Sequence, residues 1–397
     1  MRTPPPSPDP PSPRLRASER PAFPILAVAV WAAVVIGWSY VARDVLPASP
    51  RSGWDPEIAK HAPPLARYDS GWYRKIALDG YGPPPAGRAS SEHVFFPLYP
   101  ALTAGLSRVL GVDPFSAGMG LSLAAVAAAA VLFVREARRR AGPAEAGRAA
   151  LVFLLLFPTS FFFASAYAEA IFLLLSLLAF ACVARRSFGL AALCGLLAGL
   201  TRLPALALAL PLGIAAWQST ADRGRPLSLR RASTVALVAL APVAGVFLWV
   251  LGVGFYFGDP GLYFRLQESW NRSASPLAGL SRFGVTLPDR IARGDLARNP
   301  AFLIDYADAA LFLLLAIHQA RRKRWGDASW TAGAVLLPAA TGFAPSLPRY
   351  LVVVYPAFYA LEEIFRGRPR ARVLWWFGSA LLLLAGVAAF VHWRWVA

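Results

Sequence analysis

Apolar residues in this chain gather into stretches of about 20 residues, roughly the length that crosses a bilayer, and these recur to the C-terminus. The pattern predicts an all-α polytopic membrane protein with spans near 23–42, 113–134, 149–164, 166–184, 188–201, 203–218, 232–256, 301–319, 328–344, 349–365 and 373–392. That is about eleven crossings of about 20 residues at full length, some of them short. Residues 94–111 are also apolar but broken by Pro97 and Pro100, and are expected to lie along the membrane surface.

Residues 1–22, rich in Pro, Ser and Arg, cannot bury a core and are expected to form a disordered cytoplasmic tail. Residues 23–397 then form one transmembrane domain. A signal peptide at 23–42 would have a shorter apolar core and a small-residue cleavage site. Leu46-Pro47-Ala48 is a poor one, so retention of this span is expected.

Hydrophobic residues make up 57% of the chain and charged residues only 16%, which changes the meaning of its net charge of +18. In a soluble domain that charge would point to nucleic acid. Here the arginines cluster at 14–20, 135–148, 185–186, 223–231, 321–324 and 366–372, between apolar stretches, and read as topology signals. With all six clusters cytoplasmic, the N-terminus is inside and the C-terminus outside. Segments 43–112, 158–165, 201–204, 257–300 and 343–348 then face outward. A full crossing by 94–111 would put the 135–148 cluster on the wrong side.

The polar residues that topology does not explain fall near these outer segments. Asp69 lies between Tyr68 and Trp72-Tyr73, aromatic rings able to anchor a loop at the interface and to stack on sugars. The bland alternative is a solvated loop carboxylate. Glu169, after Tyr167, opens an otherwise apolar span, where an ionisable residue is a functional hypothesis and a helix-dipole contact the alternative. Arg202 and Arg349 contradict the inside bias of the other arginines; each offers a planar fork for phosphate, or snorkels to lipid headgroups. The loop from Asp259 through Tyr263, Arg265, Gln267 and Arg272 suits either a lipid-linked substrate or an amphipathic interfacial helix. Asp305 and Asp308 read as dipole-favoured acids at the start of a span.

Cys182 and Cys194 lie in apolar segments as small hydrophobes, and the four histidines show no metal-ligand spacing, so neither a disulfide nor a metal is expected. The chain carries no D-x-D, P-loop or dinucleotide fingerprint, and no internal repeat of the transporter kind. These absences exclude the sequence signatures of soluble nucleotide-sugar and ATP chemistry.

Tyr68-Asp69-Ser70-Gly71-Trp72-Tyr73 with Ile76-Ala77 and Gly80-Tyr81, then residues 95–100, resemble the PIG-V family of mannosyltransferases in its bacterial members. Phe157-Pro158-Thr159-Ser160, Ser165-Ala166-Tyr167-Ala168-Glu169, Thr201-Arg202, Gly258-Asp259-Pro260 and Pro348-Arg349-Tyr350 follow in family order. The family is typified by the enzyme that adds the second mannose of the GPI anchor. The resemblance implies a GT-C glycosyltransferase bundle in the cell membrane, with an extracytoplasmic active site and a polyprenyl-phosphate-linked mannose as donor. It implies Asp69 as the catalytic carboxylate; in the mechanism that follows as a hypothesis, Arg202 and Arg349 hold the departing donor phosphate, with which the expected lack of a metal is consistent. Tyr68, Trp72, Tyr73, Tyr167, Glu169, Asp259 and Arg265 are then expected to bind or orient substrates. The acceptor is left open among a glycolipid, a polysaccharide and a protein, as are the sugar's identity and a partner subunit. A flippase for a lipid-linked sugar would share the spans and arginines but needs charged or broken-helix sites near the midplane. An inactive scaffold subunit is a third reading.

Overall fold

The computed structural model describes residues 22–47, 62–84, 91–140, 144–221, 228–268, 272–273, 275–294, 301–342 and 346–394. The predicted tail lies outside these residues except for Ala22, which opens the first helix. Among the described residues the chain is all-helical: α1 (Ala22–Val45), α2 (Ser70–Asp79), α3 (Leu98–Leu110), α4 (Pro114–Arg139), α5 (Ala144–Leu155), α6 (Glu169–Ala184), α7 (Phe188–Gly199), α8 (Ala209–Thr220), α9 (Leu229–Tyr256), α10 (Leu262–Glu268), α11 (Pro276–Ala292), α12 (Ala301–Arg321), α13 (Trp325–Ala340), α14 (Leu347–Leu351), α15 (Tyr355–Phe365) and α16 (Pro369–Val391). Short 3₁₀ turns occupy Glu92–Val94, Ser160–Ala164 and Leu203–Leu208.

Every predicted span contains helix. Six segments are long and apolar enough to cross a membrane: α1, α4, Leu203–Thr220, α9, Phe302–Arg321 and α16. The polytopic, all-α membrane architecture expected from the apolar pattern is thus the one the chain adopts. Helices α5, α6, α7, α13 and α15 have 11 to 16 residues. At a rise of about 1.5 Å per residue they fall short of a hydrocarbon core of about 30 Å. Helix α3, within the predicted surface segment, has 13 residues and is likewise too short for a full crossing.

Two predicted spans are broken where continuous helix was expected. In 149–164, α5 ends at Leu155 and Pro158 follows, so the chain continues as a 3₁₀ turn over Ser160–Ala164. In 349–365, α14 stops at Leu351 and α15 restarts at Tyr355 with Pro356 in its first turn. Proline lacks the amide hydrogen and restricts its predecessor, so it opens a helix more readily than it continues one. Both breaks fall inside the protein, where they bring polar residues into the bundle.

Helix α4 is a central strut that packs on α1, α3, α5 and α6. Its start is fixed by Pro114 in the first turn and by Asp113, whose side chain accepts the Phe115 N–H at 2.8 Å. Its buried face is mostly small, with Gly118, Ser122, Ala125, Ala129 and Ala130, which lets neighbouring backbones approach.

Helices α7 and α9 meet more closely still. A Cβ on Gly245 would lie 2.1 Å from the Leu196 carbonyl oxygen, and one on Gly199 would lie 2.3 Å from the Pro242 carbonyl oxygen. Neither obstacle is a movable side chain. Gly245→Val is expected to cost about 3 kcal/mol through forced separation of the helices, read as a lower Tm in detergent. Gly252, on the same helix, has nothing within 4 Å of its would-be Cβ. Gly252→Ala is expected to leave the Tm unchanged or raise it, since alanine is the better helix former by about 1 kcal/mol.

Candidate active site

The turn before α2 is built to aim one carboxylate inward. Tyr68 has φ 51°, a left-handed conformation that few non-glycine residues adopt. Its ring packs on Phe390 and Trp393, with centroids 5.4 and 5.1 Å away. Arg67, buried beneath, donates to the carbonyls of Pro63 and Ala66 at 3.0 Å and lies over the Trp393 ring. Burial pushes the Arg67 pKa down to about 10, so it keeps its charge at neutral pH. The Tyr167 hydroxyl donates to the Arg67 carbonyl at 3.0 Å and accepts the Asp69 N–H at 3.1 Å, so one side chain clasps the turn on both sides of Tyr68.

Asp69 occupies the position before α2, where an aspartate commonly caps the helix, yet its side chain makes no capping hydrogen bond. Instead Arg349 Nη1 donates to Asp69 Oδ2 at 2.6 Å. The Asp69 side chain is 14% exposed and the Arg349 side chain 8%. The carboxylate therefore faces the interior rather than open solvent.

Behind this pair lies Glu169, in the first turn of α6, with its side chain 1% exposed. Its Oε1 is 2.9 Å from Arg202 Nη1 and 3.5 Å from Arg349 Nε. Neither Glu169 oxygen accepts a well-aligned hydrogen bond, so these contacts are those of charge rather than of direction. Asp69, Arg349, Glu169 and Arg202 thus form one alternating chain of two acids and two bases. Arg349 comes from α14, ahead of the break at Leu351, and Arg202 from the residue that precedes the Leu203–Leu208 turn, which Pro204 opens. Thr159, after the Pro158 break, donates to the Pro348 carbonyl at 2.9 Å and ties the two breaks together.

This chain borders a cavity of about 410 Å³ lined by Tyr68, Asp69, Trp72, Tyr73, Arg202 and Arg349 among others. Trp72 stacks on Phe95, centroids 5.9 Å apart, and Tyr73 meets Phe95 and Tyr99 edge-on. Burial, and then the Glu169 charge, holds the Tyr73 phenol well above the usual tyrosine range, so it remains a neutral wall. The loop behind is locked by Glu92, which pairs with Lys75 at 3.0 Å and accepts the Gly82 N–H. Burial acts against that carboxylate, but the backbone N–H groups and Lys75 outweigh it and hold its pKa below the ordinary value.

Not all of the sequence candidates meet here. Tyr167 and Glu169 stand behind the cavity wall and support it. Asp259 and Arg265 do not line it; they pair with each other, and the Gly261 N–H also bonds Asp259. The Arg265 guanidinium, more than burial, sets the Asp259 pKa and holds it below the ordinary range. The structure adds residues that sequence reading left as part of a mixed loop: Tyr263, Gln267 and Arg272 line the cavity with Tyr350, and Arg272 Nη2 donates to the Tyr350 hydroxyl at 2.7 Å. Nothing in the local sequence of Arg272 separates it from Arg265 seven residues earlier; only the packing does.

Because Tyr167 clasps the Asp69 turn, Tyr167→Phe strands a buried N–H and a carbonyl. The expected cost is about 1–3 kcal/mol, shared between stability and Asp69 alignment. A lower Tm in detergent is the corresponding outcome.

No protein-family model matches the chain, and no curated protein matches it. Among solved structures the chain is similar to the Archaeoglobus fulgidus oligosaccharyltransferase, solved in complex with Zn and sulfate, with a TM-score of 0.45 and 12% sequence identity. The alignment covers 94% of this chain and 53% of that one, so the chain spans about half the length of that protein.

Proposed function

We propose that the protein is an inverting, GT-C-type glycosyltransferase that moves mannose from a polyprenyl-phosphate-linked donor to a hydroxyl acceptor at the outer face of the membrane. The observation that carries this reading is the Asp69 carboxylate, held at 2.6 Å by Arg349 on the wall of an aromatic-lined cavity that Arg202 also faces. An acceptor hydroxyl needs a base, and the donor phosphate needs cations as it leaves.

In this mechanism Oδ2 of Asp69 stays on Arg349 and Oδ1 takes the acceptor proton. The acceptor oxygen forms its bond to the anomeric carbon while the bond from that carbon to the phosphate oxygen breaks. The electron pair goes to the phosphate, and guanidinium groups stabilise the added charge. Arg202 and Arg349 supply that field without a metal ion. Trp72 and Tyr73 offer faces for stacking a sugar ring. Asp259 and Arg265, outside the cavity, have no assigned contact with the reacting atoms. A glycolipid, a polysaccharide or an exported protein would each present a suitable hydroxyl.

Direct displacement inverts the anomeric centre. A β-linked mannosyl phosphate donor is therefore expected to give an α-linked product by NMR of the purified glycoside. A β-linked product would require a covalent intermediate and would exclude Asp69 as a simple base.

A further inference from the structure

A second chamber of about 320 Å³ adjoins the first, and the two share Leu203, Pro204, Tyr263, Gln267, Arg272 and Tyr350 as wall. The rest of its lining is nearly all apolar and includes Leu206, Val246, Phe247, Val250 and Leu337 from the Leu203–Leu208 turn, α9 and α13. Its charged group is Arg272, which sits on the shared wall. The first cavity is polar and aromatic, the second is oily, and a cation stands between them.

Around that junction the guanidinium groups converge on one ring. Arg272 Nη2 donates to the Tyr350 hydroxyl at 2.7 Å, while Arg202 and Arg349 lie 5.1 and 5.4 Å from the Tyr350 ring centroid. Among the described residues the first cavity is lined by Arg202, Arg272, Arg349 and the acid Asp69. Arg202 lies against Glu169, behind the wall, and Arg349 against Asp69.

We propose that Arg272 joins Arg202 and Arg349 in gripping the leaving lipid phosphate, on its lipid side, and that the isoprenoid chain attached to it enters the α9–α13 chamber. The proposal rests on the transferase reading above and deepens it. A polyprenyl phosphate sugar is polar on one side of its phosphate and purely hydrocarbon on the other, which matches the order cavity, arginine, chamber. When the anomeric bond breaks, the departing phosphate oxygen keeps the electron pair. Its added negative charge then forms beside the Arg272 fork, while the acceptor proton goes to Asp69. Arg202 and Arg349 supply the rest of the field from the sugar side of the phosphate.

The test uses the full chain in lipid nanodiscs and a long-chain polyprenyl phosphate without sugar, carrying a photoreactive group near its tail. Wild type is expected to bind it, with cross-links in 203–206, 246–250 or 337–341. Arg272→Gln is expected to weaken binding by on the order of 10- to 100-fold, the usual cost of losing a charged hydrogen bond. Val250→Trp, filling the chamber, is expected to displace the cross-link while leaving a short-chain isoprenyl phosphate bound as before. Equal binding by Arg272→Gln, or wild-type cross-links elsewhere in the chain, overturns the assignment and leaves the transferase reading standing. A wild-type protein that binds no polyprenyl phosphate overturns both. The cross-link map in wild type decides the matter even if the Arg272 variant fails to fold.

Discussion

Asp69→Asn is expected to lower the transfer rate by about 10²- to 10⁴-fold, the usual contribution of a positioned general base. Asparagine has nearly the same shape as aspartate but cannot take a proton from the acceptor. The fold should survive, because the Asp69 backbone N–H remains bonded to Tyr167 and Arg349 keeps its contact with Glu169, 3.5 Å from Nε. Affinity for a polyprenyl phosphate without sugar is therefore expected to stay within about threefold, as for a loss confined to the chemical step. Transfer and binding assays on one preparation separate these outcomes. Asp69→Ala is a poorer probe, since it also removes the anionic partner of a buried arginine.

Arg349→Ala is expected to damage both folding and catalysis. The guanidinium is the link between two carboxylates; without it Asp69 loses its ion pair, while Glu169 keeps Arg202 at 2.9 Å. Removing one partner of a buried charged pair costs about 3–5 kcal/mol, because the other charge stays desolvated. A drop in Tm accompanied by loss of transfer is the expected result. Arg349→Lys restores the charge but not the fork, which at present reaches Asp69 through Nη1 and Glu169 through Nε. It is expected to recover much of the Tm and little of the activity. A lysine variant as active as wild type would show that charge alone, without bidentate bridging, suffices.

Much of the fold was legible because membrane helices are written in one dimension: an apolar run that faces lipid must satisfy its own backbone groups, and helix does so. The breaks after Leu155 and Leu351 were harder to see, since Pro158 and Pro356 lie in text apolar enough to pass for continuous spans. The site residues were visible singly, as charges that neither topology nor solubility explained. Their grouping was not, for Asp69 and Arg349 are 280 positions apart and no local pattern records that contact. Asp259 and Arg265 carried the same kind of signal, yet they satisfy each other outside the cavity. Arg272 offered less signal and occupies the more telling place, because its position depends on how the loop after α10 lies against Tyr350.

The most direct test is to supply purified protein in lipid vesicles with radiolabelled polyprenyl-phosphate-mannose and an extract of native acceptors. It follows both transfer of label and movement of the donor across the bilayer. The account predicts label in an acceptor at a rate that Asp69→Asn abolishes, with no need for the donor to change leaflets. Donor that crosses the membrane while no acceptor becomes labelled would contradict it, and would make the protein a carrier of lipid-linked sugar.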